Sequence, residues 1–137
     1  MKRNATAVWQ GSGKDGKGNL TTQSGTLSST QYSYKSRFEE GVGTNPEELI
    51  AAAHAGCFTM KLSFNIDAAG FKADELTTKC EISLEEGTIT SSHLTLTAKI
   101  PGISQDQFEA AVKDAEANCP VSKLLKTIKI TVDSTLS

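Results

Sequence analysis

The chain has 137 residues and a formal net charge of −2 at pH 7, with a sequence pI of about 5.7. This length predicts a single domain, 1–137, large enough for a hydrophobic core and small enough to gain stability from oligomerisation. The scattered lysines form no basic cluster of the kind that binds nucleic acid, and no stretch approaches the roughly 18 apolar residues of a membrane span. We therefore expect a cytoplasmic protein without a nucleic-acid or membrane partner.

The three cysteines are odd in number and widely spaced, which is not the pattern of a secreted disulfide framework. No CxxC pair suggests structural zinc, and we expect neither a metal nor a cofactor. In a reducing compartment, a disulfide between two of these residues would form during chemistry rather than act as a permanent link.

The N-terminal third of the chain predicts strands, because polar and apolar residues alternate between turn signals. The predicted strands cover 5–10, 19–24 and 30–36. The glycine-rich segment 11–18 lacks both the GK[ST] ending and the strand-to-helix context of a phosphate-binding loop, so it is interpreted as a mobile turn. Residues 37–43 are predicted to form a flexible connection.

A long helix is the central feature of the sequence. Asn45 is a good N-cap and Pro46 suits the first helical position, while Glu47 and Glu48 complement the positive end of the helix dipole. Glu48 takes the third position of a capping box, which leaves Glu47 free for another task. The helix is expected to end in a left-handed cap at Gly70.

The apolar spacing of this helix predicts an inward face rich in small side chains. Its predicted members are Leu49, Ala52, Ala53, Gly56, Cys57 and Met60. Because alanine and glycine let another backbone approach closely, we expect a partner to pack against this helix, with Cys57 buried or half-buried.

The C-terminal half returns to strands and helices, which makes the fold class α+β. Strand 76–84 places Cys80 on its inward face, where it is interpreted as a small hydrophobe. The next strand turns inward the residues Leu94, Leu96, Ala98 and Ile100. Ser104 and Gln107 form a capping box for an amphipathic helix, and 128–133 is the last strand.

Two thiols are candidates for chemistry. Pro120 at a first helical position would make Cys119 the N-cap of a short helix, where backbone N–H groups and the helix dipole favour a thiolate. A free thiol titrates near about 8.5, so a reactive Cys57 needs a nearby cation. Arg37 is the best-placed arginine, although it can equally be a solvated charge paired with an adjacent glutamate.

Helix geometry limits which groups can share a site. Glu47 and Cys57 are ten positions apart, so an unbroken helix separates them by about 15 Å. If both belong to one site, the carboxylate must come from a second copy of the helix. His54 lies one turn before Cys57 and could pair with it, but a core or interfacial histidine is the more common arrangement. As zinc ligands, the two residues would lack two further members.

Four motifs resemble the osmotically inducible protein C family of the OsmC/Ohr superfamily, and the resemblance covers nearly the whole chain. These motifs are Ser36-Arg37-Phe38-Glu39, Gly43 to Leu49, Ala51 to Phe58, and Asn118-Cys119-Pro120-Val121-Ser122. The N-terminal residues Ala7 to Gly11 with Gly16 to Gly18, and an arginine shortly before the helix, favour the OsmC branch over the organic hydroperoxide resistance proteins.

The resemblance implies an OsmC-like α+β fold, with antiparallel sheets, a long central helix and an intertwined homodimer. It implies a thiol-dependent peroxidase that reduces organic hydroperoxides, and hydrogen peroxide less efficiently, in oxidative or osmotic stress. By position, Cys57 matches the peroxidatic cysteine and Cys119 the resolving one. Arg37 and Glu47 match the ion pair that holds the guanidinium toward the thiolate. The resemblance thus assigns the attack on the peroxide to Cys57, whereas the helix-capping position alone favours Cys119 as the more acidic thiol.

The implied reaction ends in a Cys57–Cys119 disulfide that an external dithiol reopens; in the superfamily, lipoyl-bearing proteins or small dithiols do this. The Ala, Phe and Met side chains near Cys57 suit an alkyl peroxide. Two alternatives remain open from the residues alone. The cysteines could form a redox-responsive switch or binding module without turnover, or Cys57 could serve only the packing of a structural dimer.

Overall fold

Six strands and four helices make up the chain in a computed structural model that describes all 137 residues, Met1–Ser137. In chain order they are β1 (Ala5–Gln10), β2 (Lys17–Thr22), β3 (Thr30–Tyr32), α1 (Tyr34–Phe38), α2 (Pro46–Ala68), β4 (Glu75–Glu85), β5 (Thr88–Lys99), α3 (Gln105–Asn118), α4 (Pro120–Leu124) and β6 (Lys129–Leu136). The chain divides into two compact units, Met1–Leu49 and Ile50–Ser137. The predicted α+β class is confirmed.

The first unit contains an antiparallel sheet with the strand order β1-β2-β3. Gly18 of β2 lies opposite both Trp9 and Tyr32, whose rings pack with centroids 5.4 Å apart. A Cβ at position 18 would collide with both rings, so only glycine lets the two aromatic side chains meet across the middle strand.

The third strand is shorter than the sequence pattern predicts. It ends at Tyr32, and residues 34–38 form helix α1 instead of continuing the strand into a flexible connection. The reason is a capping box: the Ser33 side chain accepts from the Ser36 N–H, and the Ser36 hydroxyl accepts from the Ser33 N–H. Arg37 therefore lies on a helix with a defined start.

The second unit contains a sheet with the order β4-β5-β6, which is mixed rather than purely antiparallel. β4 pairs antiparallel with β5, whereas β6 runs parallel to β5. Helices α3 and α4 lie between β5 and β6 in the sequence, and they supply the long crossover that a parallel pair requires.

The core of this unit lies between the sheet, α2 and α3. The predicted inward residues Leu94, Leu96, Ala98 and Ile100 are all buried, and the predicted α3 capping box is present. The buried hydrophobic residues are Phe58, Leu62, Ile66, Leu94, Leu96, Ala98, Ile100, Ile103, Phe108, Ala111, Val112, Ala115 and Cys119. Cys80 is half-buried and packs against this cluster.

Helix α2 begins and ends as predicted. The Asn45 side chain accepts from the Glu48 N–H at 2.8 Å, but the predicted capping box is only half formed, because the Glu48 carboxylate accepts from the Thr44 hydroxyl instead of the Asn45 N–H. At the other end Gly70 has φ +90°, and the Phe71 N–H donates to the Ile66 carbonyl, which is a Schellman cap. None of the helices combines the length and the apolar character that crossing a bilayer would require.

The buried face of α2 is not the one predicted from its small residues. The buried row consists of His54, Phe58, Leu62 and Ile66, whereas Ala52, Ala53, Gly56 and Met60 are exposed. Both sides of the helix are apolar, and the larger side chains of one row fill the core because they bury more area. Cys57 is half-buried, as predicted.

Candidate active site

Cys119 lies where two helices meet. It is the C-cap of α3 and the N-cap of α4, with Pro120 in the first turn as predicted. Its sulfur accepts a hydrogen bond from the Ser122 N–H at 3.3 Å. The thiol therefore caps the helix in the way that a serine or asparagine oxygen usually does. The side chain is completely buried.

Cys57 of α2 is brought against Cys119, and both thiols are free. Burial raises the pKa of Cys57, a hydrogen bond from the Val121 backbone lowers it, and the hydrogen bond and charge of Cys119 raise it. Two thiols that affect each other's ionisation in this way can act together in dithiol chemistry.

The N-terminus of α4 serves both sulfurs. The Val121 N–H is directed to Cys57, and the Ser122 N–H to Cys119. The capping position alone favours Cys119 as the thiolate. In the structure, however, the N–H groups at the start of α4 are shared between Cys119 and Cys57. Only the packing of α2 against α4 shows that Cys57 shares them.

Arg37 and Glu47 form an ion pair within the first unit. Arg37 Nε and Nη2 each lie 2.9 Å from Glu47 Oε1. Two hydrogen bonds hold α1 against the residues that precede α2 and so fix this pairing. The Ser36 hydroxyl donates to the Thr44 carbonyl at 2.8 Å, and the Asn45 amide donates to the Ser36 carbonyl at 3.0 Å. Arg37 thus pairs with Glu47, and not with the adjacent glutamates.

Each partner of this pair has hydrogen-bonding groups that no other group in the chain uses. The guanidinium also packs on the Phe38 ring, 5.1 Å from its centroid, and Nη1 has no acceptor in the chain. Glu47 Oε2 is buried without a hydrogen-bond donor. The Arg37 side chain is 40% exposed and that of Glu47 12%. Because the pair forms within one chain, any site that receives Glu47 from a second copy receives Arg37 with it.

His54 is a core histidine with both ring nitrogens occupied. Nδ1 lies 2.6 Å from the Ser92 hydroxyl and Nε2 lies 2.8 Å from the Ser122 hydroxyl. The ring therefore has no nitrogen left for a metal or for a hydrogen bond to Cys57, and no group of three or more His, Cys, Asp or Glu side chains is arranged to hold a metal ion. Burial lowers the pKa of His54.

Sequence reasoning missed three contributors to this region: Ser92, Ser122 and the N–H of Val121. Ser92 carried a signal, because it is a polar residue on the inward face of β5 two positions before Leu94. Ser122 carried a weaker one, as the third residue of a helix capped by Cys119.

Comparison with known proteins identifies the family. The model for OsmC-like proteins matches residues 39–133. The chain is 41% identical over 137 residues to Peroxiredoxin OsmC of Escherichia coli (strain K12), covering 97% of this chain and 95% of that protein. It is 35% identical over 83 residues to the organic hydroperoxide resistance protein OhrA of Bacillus subtilis (strain 168), covering 58% of each.

A solved structure also shares the fold. The OsmC-like protein from Mycoplasma pneumoniae has a TM-score of 0.79 at 16% identity, and the alignment covers 99% of this chain and 97% of that one. The family model spans more than half of the chain, and the Escherichia coli relative spans nearly all of it. The chain therefore belongs to the family of OsmC-like proteins.

Proposed function

We propose that the protein is a cysteine-based peroxidase that reduces organic hydroperoxides to alcohols, and hydrogen peroxide less efficiently. The observation that carries the proposal is the contact between the free thiols of Cys57 and Cys119 at the start of α4. The names of the Escherichia coli and Bacillus subtilis relatives, a peroxiredoxin and an organic hydroperoxide resistance protein, agree with it.

The proposed cycle has three steps. The Cys57 thiolate attacks the distal peroxide oxygen, which leaves an alcohol and a sulfenic acid on Cys57. Cys119 attacks the sulfenic sulfur, releases water and closes a Cys57–Cys119 disulfide, which protects Cys57 from further oxidation. An external dithiol, for which a lipoyl-bearing protein is our candidate, then reduces the disulfide.

Arg37 is proposed to favour the Cys57 thiolate and to bind the peroxide oxygens, with Glu47 orienting it. The two unused N–H groups on Nη1 could hydrogen-bond the alkoxide as its charge develops. Cys57 needs this help, because burial raises its pKa. Along α2 about 15 Å separates Glu47 from Cys57, so the Arg37–Glu47 pair is assigned to the Cys57 of a second copy in a homodimer.

The exposed face of α2 supports the homodimer. Met60 is 64% and Phe64 62% exposed, and a Cβ on Gly56 would meet no atom of the chain within 4 Å. A second copy covering this stripe would bury it and bring apolar side chains near the thiol, which suits an alkyl peroxide. Phe58 does not contribute to such a surface, contrary to the sequence-based expectation, because it is fully buried in the core.

Peroxide consumption tests the proposal. Reduced protein is mixed with tert-butyl hydroperoxide and dihydrolipoamide, and loss of peroxide is followed. We expect no activity for Cys57→Ser, and a single turnover for Cys119→Ser with Cys57 converted to the sulfinic acid. Wild-type protein that forms the disulfide but never turns over with any dithiol would contradict the enzyme and indicate a redox switch. Placement in the cytoplasm and a role in oxidative or osmotic stress are part of the proposal.

A further inference from the structure

A continuous row of hydrogen bonds connects two of the cysteines through the core. Cys119 Sγ lies 3.0 Å from Ser122 Oγ, and Ser122 Oγ lies 2.8 Å from His54 Nε2. On the other side of the ring, Nδ1 lies 2.6 Å from Ser92 Oγ, which lies 3.2 Å from Cys80 Sγ. Members from α2, α4, β4 and β5 thus form one chain of five groups.

The burial of these groups changes from one end to the other. Cys119, Ser122, His54 and Ser92 are all buried, whereas Cys80 is half-buried. A thiol that attacks a sulfenic acid must lose its proton, and the sulfur of Cys119 has no exposed surface from which solvent could take it. The hydrogen-bonded chain leads from this sulfur toward the less buried edge of the core.

Two arrangements of protons satisfy every bond in the chain. In the first, Cys119 donates to Ser122, which donates to Nε2, while Nδ1–H donates to Ser92, which donates to Cys80. In the second, every bond is reversed. Moving one proton along each bond, while the S–H proton of Cys80 leaves to solvent, converts the first arrangement into the second, and the imidazole is neutral in both. The second arrangement leaves the Cys119 sulfur accepting from the hydroxyl and the N–H of Ser122.

We propose that Ser122, His54 and Ser92 relay the proton of the Cys119 thiol to Cys80 when Cys119 attacks the oxidised Cys57. The inference rests on the proposed function, in which Cys119 is the resolving cysteine. Ser122 contacts the reacting sulfur of Cys119 directly, whereas His54 and Ser92 act on that sulfur through Ser122.

The step balances as follows. An electron pair of the Cys119 sulfur forms the S–S bond, and the S–O pair of the Cys57 sulfenic acid leaves with its oxygen. The Cys119 sulfur is oxidised and the Cys57 sulfur is reduced. The leaving oxygen takes a proton from solvent and departs as water, while one proton enters the relay from Cys119 and one leaves Cys80 to solvent. No net proton is gained or lost.

The electrostatics of His54 and Cys80 agree with this relay. Burial lowers the pKa of His54, which keeps the imidazole neutral and favours exchange between its two neutral tautomers over storage of a cation. For Cys80, burial raises the pKa, the hydrogen bond from Ser92 lowers it and the charge of Glu81 raises it. The Ser92–Cys80 bond is open to both arrangements, since either atom can be its donor.

Rapid-quench kinetics on the full chain tests the relay. Reduced protein is mixed with excess tert-butyl hydroperoxide and quenched with dimedone and an alkylating reagent, so that mass spectrometry counts sulfenic acid, disulfide and sulfinic acid separately. In Ser122→Ala and Ser92→Ala we expect sulfenic acid to form at the wild-type rate. Disulfide should form about 10²-fold more slowly, the lower end of the range for general acid–base assistance, and sulfinic acid should accumulate. Ser92 is informative because it does not touch Cys119.

The controls separate relay from packing. Ser122→Thr and Ser92→Thr keep the hydroxyl and should restore disulfide formation. Asn65→Ala removes a different tie of α2, its bonds to Ala111 and Asp114, and should leave the rate unchanged. Unchanged disulfide formation in both alanine variants would overturn the relay, as would an equal slowing in Asn65→Ala.

A measurement on wild-type protein tests the relay without any substitution, so it does not depend on whether the variants fold. The disulfide-forming step should slow in deuterium oxide more than the sulfenic-forming step, and equal effects on both would overturn the relay. Failure of the proposed function has a different signature, because wild-type protein would then form no Cys57–Cys119 disulfide in either solvent.

Discussion

Arg37 differs chemically from the lysine that could carry the same charge. Its Nε and Nη2 both contact Glu47 Oε1, which holds the planar group in one orientation and leaves Nη1 free. A lysine ammonium is a compact charge on a flexible stem and cannot hold this fork against one carboxylate oxygen while presenting two aligned donors.

The substitution Arg37→Lys is therefore expected to slow sulfenic acid formation by about 10²- to 10³-fold, the cost of removing one preorganised donor to a developing negative charge. The second-order rate constant with tert-butyl hydroperoxide measures the loss. Arg3→Lys is the matched control, because Arg3 is the only other arginine and contacts just the adjacent Lys2 carbonyl. A rate for Arg37→Lys equal to that control would remove Arg37 from the site.

At the scale of elements, α2 is a helix with two apolar faces. His54, Phe58, Leu62 and Ile66 fill the core of the second unit, while the opposite stripe carries Gly56, Met60 and Phe64. Exposed apolar stripes of this kind usually mark a contact surface. Helical periodicity identifies such a helix, but cannot decide which stripe faces its own sheet.

Gly56→Leu separates folding from association. A Cβ at this position meets nothing within 4 Å in the single chain, and replacing a mid-helix glycine generally adds up to about 1 kcal/mol of helix stability. We therefore expect a folded chain of unchanged or higher melting temperature that does not form the proposed homodimer, because the larger side chain blocks the close approach of a second helix. Sedimentation velocity measures the association state.

Gly13→Leu is the control for this experiment, since a Cβ there also meets open space and the residue lies outside α2. A dimer that persists in Gly56→Leu with wild-type affinity would show that the stripe is not the dimer surface.

At the scale of the whole molecule, the core of the second unit contains a polar line through apolar packing. His54 is fully buried with both nitrogens hydrogen-bonded, and its two serine partners are buried as well. Satisfied buried groups fix how the elements fit together, but a buried imidazole also makes protonation unfavourable in the folded state.

Acid should therefore weaken the fold through His54. Its pKa is lowered on folding, so its contribution to stability is complete above the unfolded value of about 6.5 and is lost as the pH falls toward the lowered folded value. As the pH falls below about 6.5, the free energy of unfolding should drop by at most about 1.4 kcal/mol per pH unit from this group. Urea titrations at several pH values measure the slope.

His54→Gln should flatten that slope relative to the wild-type protein. A wild-type stability that is constant across this range would contradict the assignment of a lowered pKa to His54.

Local signals in the sequence predicted much of the fold. The Asn45 cap, the Gly70 terminator, the Ser104 capping box and the Cys119-Pro120 start of α4 all occur where expected, because each depends on bonds among residues a few positions apart. The alternation of β5 likewise predicted its buried face. The Ser33 capping box also depends on neighbouring residues, but the alternation of polar and apolar residues over 30–36 favoured a strand there.

The residues of the candidate site could be named from sequence, mainly through the family motifs, but their contacts could not. Which stripe of α2 is buried, how Val121 and Ser122 divide their N–H groups between two sulfurs, and what occupies both nitrogens of His54 depend on residues far apart along the chain. Capping and periodicity describe bonds within one element, whereas these contacts arise only where packing of the core brings separate elements together. By itself the sequence determined the reactive groups and most of the elements, with α1 the exception; the tertiary structure decided which of those groups touch.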